Sequence, residues 1–196
     1  MGYKAIDLGL PSGRLWADRN VGAEKETDYG LYFQWGDIVG YADASHSTWA
    51  TCPGNGGNSD YNEESFEAWY PENLSDALLK PEVDAATVNM GSKWRMPNLE
   101  DILDLYAFTI NEYAVIDGVP GRKFISKADP SKYIFLPFAG WAAADEYVLD
   151  GEETRIWLNV SYPNKLEHAY FLLADECCIV NGYCCRCVAN SVRGVC

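Results

Sequence analysis

The feature that most constrains this chain is where its cysteines fall in the closing stretch, Arg155 to Cys196. Of seven cysteines, six lie in the final twenty residues: Cys177-Cys178, Cys184-Cys185, Cys187 and Cys196. A strand with one buried face alternates apolar and polar side chains, so cysteines on consecutive positions must point to both faces. Disulfide frameworks normally close loops between distant segments. This crowding argues against such a framework and leaves a local bridge open. Around the cysteines, Trp157, the apolar block of Ala169, Tyr170 and Leu172, and the closing Arg193-Gly194-Val195-Cys196 read as scaffold. Cys177, Cys178, Cys184, Cys185, Cys187, Val188 and Asn190 follow no pattern that a core would ask for. A legible frame carrying arbitrary decoration is the main clue to function.

The 196 residues suit one domain, and 48% hydrophobic with 14% aromatic residues argues against disorder. A net charge of −14 repels phosphates, which makes nucleic acid and anionic membrane poor partners. No apolar run approaches the ~18–20 residues of a membrane helix, and Met1-Gly2-Tyr3-Lys4 does not begin a signal peptide. No internal repeat or linker divides the chain.

Along the chain, Ile6, Leu8, Leu10, Leu15 and Trp16 read as short strands broken by the turn Pro11-Ser12-Gly13. Tyr29 to Trp35 reads as an aromatic strand ended by Gly36-Asp37. Residues 40–75 carry little periodicity, and Pro53 to Asn58 is a loop. Glu63, Glu64, Glu67 and Glu72 fit no calcium loop and read as a solvated acidic face. Leu78 to Val88 is expected to form a short helix with Pro81 in its first turn. Asn98, with Glu100 and Asp101 behind it, starts a second helix ending near Asn111. Lys123–Ser126 and Tyr133–Pro137 read as a hairpin around Asp129-Pro130, with Phe138 to Trp141 extending its second strand. Asn181-Gly182 reads as a tight turn pairing Val180 with Tyr183 and Cys178 with Cys185. The expected class is α+β, with strand-rich ends and one or two helices.

Trp94-Arg95-Met96-Pro97 before the capped helix resembles the helix start of C-type-lectin-fold domains of the formylglycine-generating-enzyme group. Asp7-Leu8-Gly9-Leu10-Pro11-Ser12-Gly13, Leu15-Trp16-Ala17, Asn20 to Ala23 and Asp28-Tyr29-Gly30 resemble gut-bacterial surface proteins of that fold. Arg193-Gly194-Val195-Cys196 resembles the ending of the major tropism determinant, a phage receptor-binding protein. That protein founds the variable proteins of diversity-generating retroelements. The resemblance implies a C-type lectin fold over residues 1–196, with 155–196 as the variable ligand-binding region. In that family, adenines of a template repeat are randomised, mostly at AAC or AAT codons, and a fixed scaffold displays the result. Such codons cannot yield Lys, Glu, Trp, Met or Gln, so Trp157, Lys165, Glu167 and Glu176 belong to the scaffold. The variable role then falls on Leu158, Asn159, Tyr162, Phe171, Leu173, Cys177, Cys178, Tyr183, Cys184, Cys185, Cys187, Val188 and Asn190. The implied protein is not an enzyme and needs no cofactor or metal. Its partner is a protein or other receptor on a target cell, met from a phage tail tip or a bacterial surface. Display in several copies within a larger assembly would raise avidity.

Competing readings of the same residues stay open at this point. Cys178 and Cys185 could form a bridge, strained across paired strands. Two Cys-Cys pairs without a nearby His suit zinc poorly. Cys178 and Cys184 loosely resemble the paired, copper-dependent cysteines of formylglycine-generating enzyme, but stand six apart, one more than that pair. Unpaired surface thiols on a variable face are the blander account. A pilus-tip adhesin without retroelement variation would differ only in its genetics. His46 and His168 are far apart in sequence, and His168, beside the Ala169-Tyr170 block, reads as an edge-of-core residue rather than a base. Trp16, Trp35, Trp94, Trp141 and Trp157 read as core rather than as a sugar site.

Overall fold

Two strands of the closing stretch run through the middle of the molecule, and the rest of the chain covers them on both sides. The structure is a computed structural model describing residues 2–196. In chain order its strands and helices are β1 (Ala5–Asp7), β2 (Leu15–Ala17), β3 (Tyr32–Gln34), α1 (Glu63–Asn73), β4 (Leu74–Ser75), β5 (Leu78–Leu79), α2 (Ala85–Met90) and α3 (Leu99–Phe108). Then follow β6 (Thr109–Ile116), β7 (Val119–Ser126), β8 (Tyr133–Pro137), β9 (Trp141–Ala143), β10 (Glu146–Val148), β11 (Glu153–Ser161), β12 (His168–Asp175), β13 (Ile179–Cys185) and β14 (Ala189–Ser191). This is a mixed α+β fold with few helices and mostly sheet. No helix among the described residues is long and apolar enough to cross a membrane.

The central sheet has the order β10-β9-β14-β11-β12-β13, with β3 added beside β14 and β5 beside β11. β11 and β14 run parallel; the other pairings in this sheet are antiparallel. On one face Ile156, Leu158 and Leu172 pack with Leu8, Leu10 and Trp16 of the N-terminal segment, Ile102 and Leu105 of α3, and Phe124, Ile134 and Leu136 of the β6-β7-β8 sheet. On the other face Trp157, Ala169 and Phe171 pack with Phe33, Trp35, Leu79, Ala86, Met96 and Val192. A sheet covered on both faces needs no polar alternation. That is why Ile156-Trp157-Leu158 is continuously apolar.

The two ends of the chain lie side by side. The Ala17 N–H donates to the Gly194 carbonyl (2.9 Å), and the Leu15 N–H donates to Cys196 (3.0 Å). The Arg193 guanidinium is fully buried. It donates to Asn20 Oδ1 (2.9 Å), Ala17 O (2.9 Å) and Phe135 O (2.7 Å), joining three segments distant in sequence.

The start of α3 is as expected: Asp101 N donates to Asn98 Oδ1 and Asn98 N to Asp101 Oδ2. Short strands on either side of Pro11-Ser12-Gly13 form as expected and pair with each other, and the β7–β8 hairpin forms as expected. Other elements differ. α3 stops at Phe108 because β6 begins at the β-branched Thr109. The expected helix over 78–88 is divided: Leu78-Leu79 is strand, Pro81–Val83 is a 3-10 turn, and α2 begins only at Ala85. Asp84 makes the break, accepting from Thr87 N (3.0 Å) while also taking Met96 N (3.1 and 3.0 Å). α1 falls where no periodicity is visible, since Phe66 is its one fully buried side chain among the described residues. Asn62 caps it by accepting from Ser65 N, and Glu63 and Glu64 occupy its first turn. The four glutamates lie exposed along it. Phe138 to Trp141 does not extend β8. Gly140 turns the chain at φ 62°, and a Cβ there would sit 2.5 Å from the Val148 carbonyl oxygen, so β9 passes to the central sheet.

Candidate ligand-binding face

Antiparallel partners point to the same face of a sheet, so the registers sort the candidate residues. Arg155 pairs with Leu173 and Trp157 with Phe171. Leu173 pairs with Val180, Phe171 with Gly182, and Ala169 with Cys184. Arg155, Leu173, Phe171, Val180 and Cys184 therefore share one face, and Trp141, Cys185, Cys187 and Val188 pack against the same cluster. Phe171 is 6% exposed and Val188 8%; Leu173, Cys184, Cys185 and Cys187 are half-buried. Asn190 is fully buried beneath them, its Nδ2 donating to Cys184 Sγ at 3.9 Å. Burial raises the Cys184 thiol to about 12, against the lowering influence of nearby Arg155.

The remaining candidates lie elsewhere. Leu158 is fully buried in the opposite core, so it is frame and not contact surface. Asn159 is 3% exposed, its N–H donates to Pro97 O (2.9 Å), and its side chain lines a small cavity with Asp84, Thr87 and Arg95. It too is taken out of the face. Tyr162 stacks on Tyr183 (3.8 Å between ring centroids), beside Tyr170 (5.3 Å from Tyr162) and His168 (5.7 Å from Tyr183). Tyr183 pairs with Tyr170, whose ring packs against the core opposite the Phe171 face. His168 is a partly buried edge residue, with Glu167 Oε1 3.3 Å from its Nδ1. Burial lowers its pKa more than that carboxylate raises it.

Cys177 and Cys178 are exposed in the turn between β12 and β13. That turn, and not Asn181-Gly182, closes the hairpin. Asp175 Oδ1 accepts from Cys177 N (2.7 Å) and Cys178 N (2.6 Å), and these bonds hold the carboxyl below its ordinary pKa. Asn181 and Gly182 lie within β13, opposite Leu172 and Phe171. Gly182 is required there for space, because a Cβ would come 2.5 Å from the Phe171 ring. The shifted register separates Cys178 from Cys185, so the bridge expected between them does not form. Cys185 is instead bonded to Cys187, while Cys52, Cys177, Cys178, Cys184 and Cys196 are free thiols.

Two residues outside the candidate set shape the face. Trp141, expected in the core, is half-buried and carries the Arg155 guanidinium over its ring at 4.0 Å. Phe171 lies on the other side, 5.0 Å from the same guanidinium carbon, and Glu153 Oε1 accepts from Arg155 Nε at 2.8 Å. The available signal was parity: Arg155 stands two residues before Trp157 and shares its face. Arg186, between the bonded cysteines, is fully buried with its guanidinium 4.0 Å over Trp35 and 4.9 Å from the Tyr70 ring. Burial lowers its pKa to about 10, which leaves it charged at neutral pH. Among the described residues no group of His, Cys, Asp or Glu is arranged to hold a metal ion.

Comparison with known proteins adds no relative to this geometry: no family model, curated protein or solved structure matches the chain.

Proposed function

We propose that this chain is a ligand-binding domain of C-type lectin fold whose face around Phe171, Leu173, Cys184, Cys187 and Val188 is diversified by a retroelement. One observation carries the reading. Residues without a core-like pattern in the sequence (Cys184, Cys185, Cys187 and Val188) gather with half-buried Leu173 at the margin of one of the two apolar layers that cover the sheet. Substitution at such a margin changes contact area for a partner while the frame beneath stays the same. Support for the fold comes from the capped start of α3 and from the adjacency of the opening and closing motifs through Ala17 and Gly194. The partner is a receptor protein on a target cell, met from a phage tail or bacterial surface, and multiple display would supply avidity.

The copper-dependent oxidase reading loses support from the strand geometry. Cys178 precedes β13 and Cys184 lies near its end, roughly 20 Å apart at about 3.3 Å per extended residue. Sequencing the coding region in sibling isolates tests the proposal. Differences concentrated at Phe171, Leu173, Cys184, Cys187 and Val188, with Trp157, Leu158 and Arg193 constant and a near-copy of the DNA beside a reverse transcriptase, are expected. Invariant codons across the face would leave an ordinary adhesin and sink the retroelement reading.

A further inference from the structure

The geometry points to Arg155 as a fixed carboxylate receptor at the centre of this face, its occupant an Asp, Glu or terminal carboxylate of a partner protein. This rests on the reading of the face as the ligand-binding surface. The Arg155 side chain is only 15% exposed, and its guanidinium carbon lies 4.0 Å from the Trp141 ring centre and 5.0 Å from that of Phe171. Glu153 takes its Nε edge, and among the described residues no acceptor bonds its two Nη atoms. The free edge is the fork that matches the two oxygens of a carboxylate.

Two features separate this arginine from an ordinary surface one. Its guanidinium is already held by the two rings and by Glu153, so little side-chain freedom remains to be lost on binding. Its surroundings (Leu173, Phe171, Trp141, Cys184) are apolar, so a charge-assisted hydrogen bond formed there is less weakened by water than one on an open surface. The Glu153 carboxylate partly compensates the charge while the site is empty. At a net charge of −14 a polyanion is repelled from afar. A single carboxylate delivered on a protein surface meets the local field within the screening length of about 8–10 Å. Arg155 would thus supply a constant contact, and the neighbouring side chains would decide which carboxylate-bearing surface fits.

The test uses sodium acetate as probe on the full chain labelled with nitrogen-15, with sodium chloride and sodium phosphate at matched ionic strength. Saturable shifts of the Arg155 Nε–H and Trp141 indole N–H signals with acetate, and none with chloride, are expected. Arg155→Met should abolish the Trp141 response. Glu153→Gln, which removes the internal carboxylate, should lower the half-saturating acetate concentration several-fold. Signals that follow ionic strength alone, a response to phosphate only, or an undiminished Trp141 response in Arg155→Met would overturn the assignment. If Arg155→Met does not fold, Glu153→Gln decides: an unchanged half-saturation rejects the site. Invariant sibling sequences would remove the diversification reading and leave the acetate result standing.

Discussion

Arg193 and Arg186 are both buried arginines, but their surroundings differ and so do the consequences of replacing them. Arg193 donates to Asn20 Oδ1, Ala17 O and Phe135 O, and burial lowers its pKa to about 9. Arg193→Met would strip three buried acceptors of their donor, at about 3–5 kcal/mol. Urea denaturation should show that loss. Arg186 instead lies against Trp35, Tyr70 and Phe66, with no carboxylate bonded to it among the described residues. Arg186→Met keeps the volume among these rings and removes an unpaired buried charge, so it should cost under about 1.5 kcal/mol. His168 gives a pH signature. Its folded pKa lies below its ordinary value of about 6.5 because burial disfavours the charged ring. The unfolded chain takes up a proton near pH 6.5 before the folded chain does, so this residue's contribution to stability falls as pH drops below that point. Urea midpoints at pH 7.5 and 5.5 should differ less in His168→Gln than in the unmodified chain.

At the scale of elements, β13 shows where sequence reading succeeds and fails. The start of α3 is legible because Asn98 and Asp101 act within one turn, where every partner is a near neighbour in sequence. Asn181-Gly182 carries the same kind of local signal for a turn, yet it lies mid-strand. The deciding contact is 11 residues away: Phe171 fills the space that a side chain at 182 would occupy. A long-range packing demand thus outweighs turn preference, and the hairpin closes where Asp175 can cap it. Placing Leu158 and Asn159 on the variable face fails for the same reason, since only the cover supplied by α3 and α2 shows those positions to be buried. Trp157 and Arg193 read as scaffold from residue type and from the closing motif, while the distant partners that bury them, Phe33 O for Trp157 and Asn20, Ala17 and Phe135 for Arg193, are not visible in the sequence. Gly182→Val should displace the Phe171 ring and cost about 1–3 kcal/mol, with altered near-UV circular dichroism as the readout. The Cys185–Cys187 bond closes a very short loop, and a loop-entropy estimate gives it about 1.5 kcal/mol. Cys187→Ser should lower the melting temperature by roughly 3–6 °C for a chain of this size.

At the scale of the whole molecule, the proposed function asks two duties of the same forty-odd residues. The sheet's buried layers fix the shape through contacts on both sides of β11 and β12. Its outward positions contribute little to that shape. Leu173, Cys177, Cys178 and Tyr183 are all half-buried or exposed, and surface substitutions usually fall within about 0.5 kcal/mol each. Replacing all four by serine should therefore remove roughly 1–2 kcal/mol in total, allowing for the half-burial of Leu173. Trp157 is fully buried, with its indole N–H donating to Phe33 O at 2.7 Å and its ring edge-on to Phe171. Trp157→Ala alone should cost about 3–5 kcal/mol. The comparison is made by thermal melts of the two variants beside the unmodified chain. A fourfold serine variant that melts earlier than Trp157→Ala would show that these outward residues hold the fold. The division between frame and face, and the binding function built on it, would then fail together.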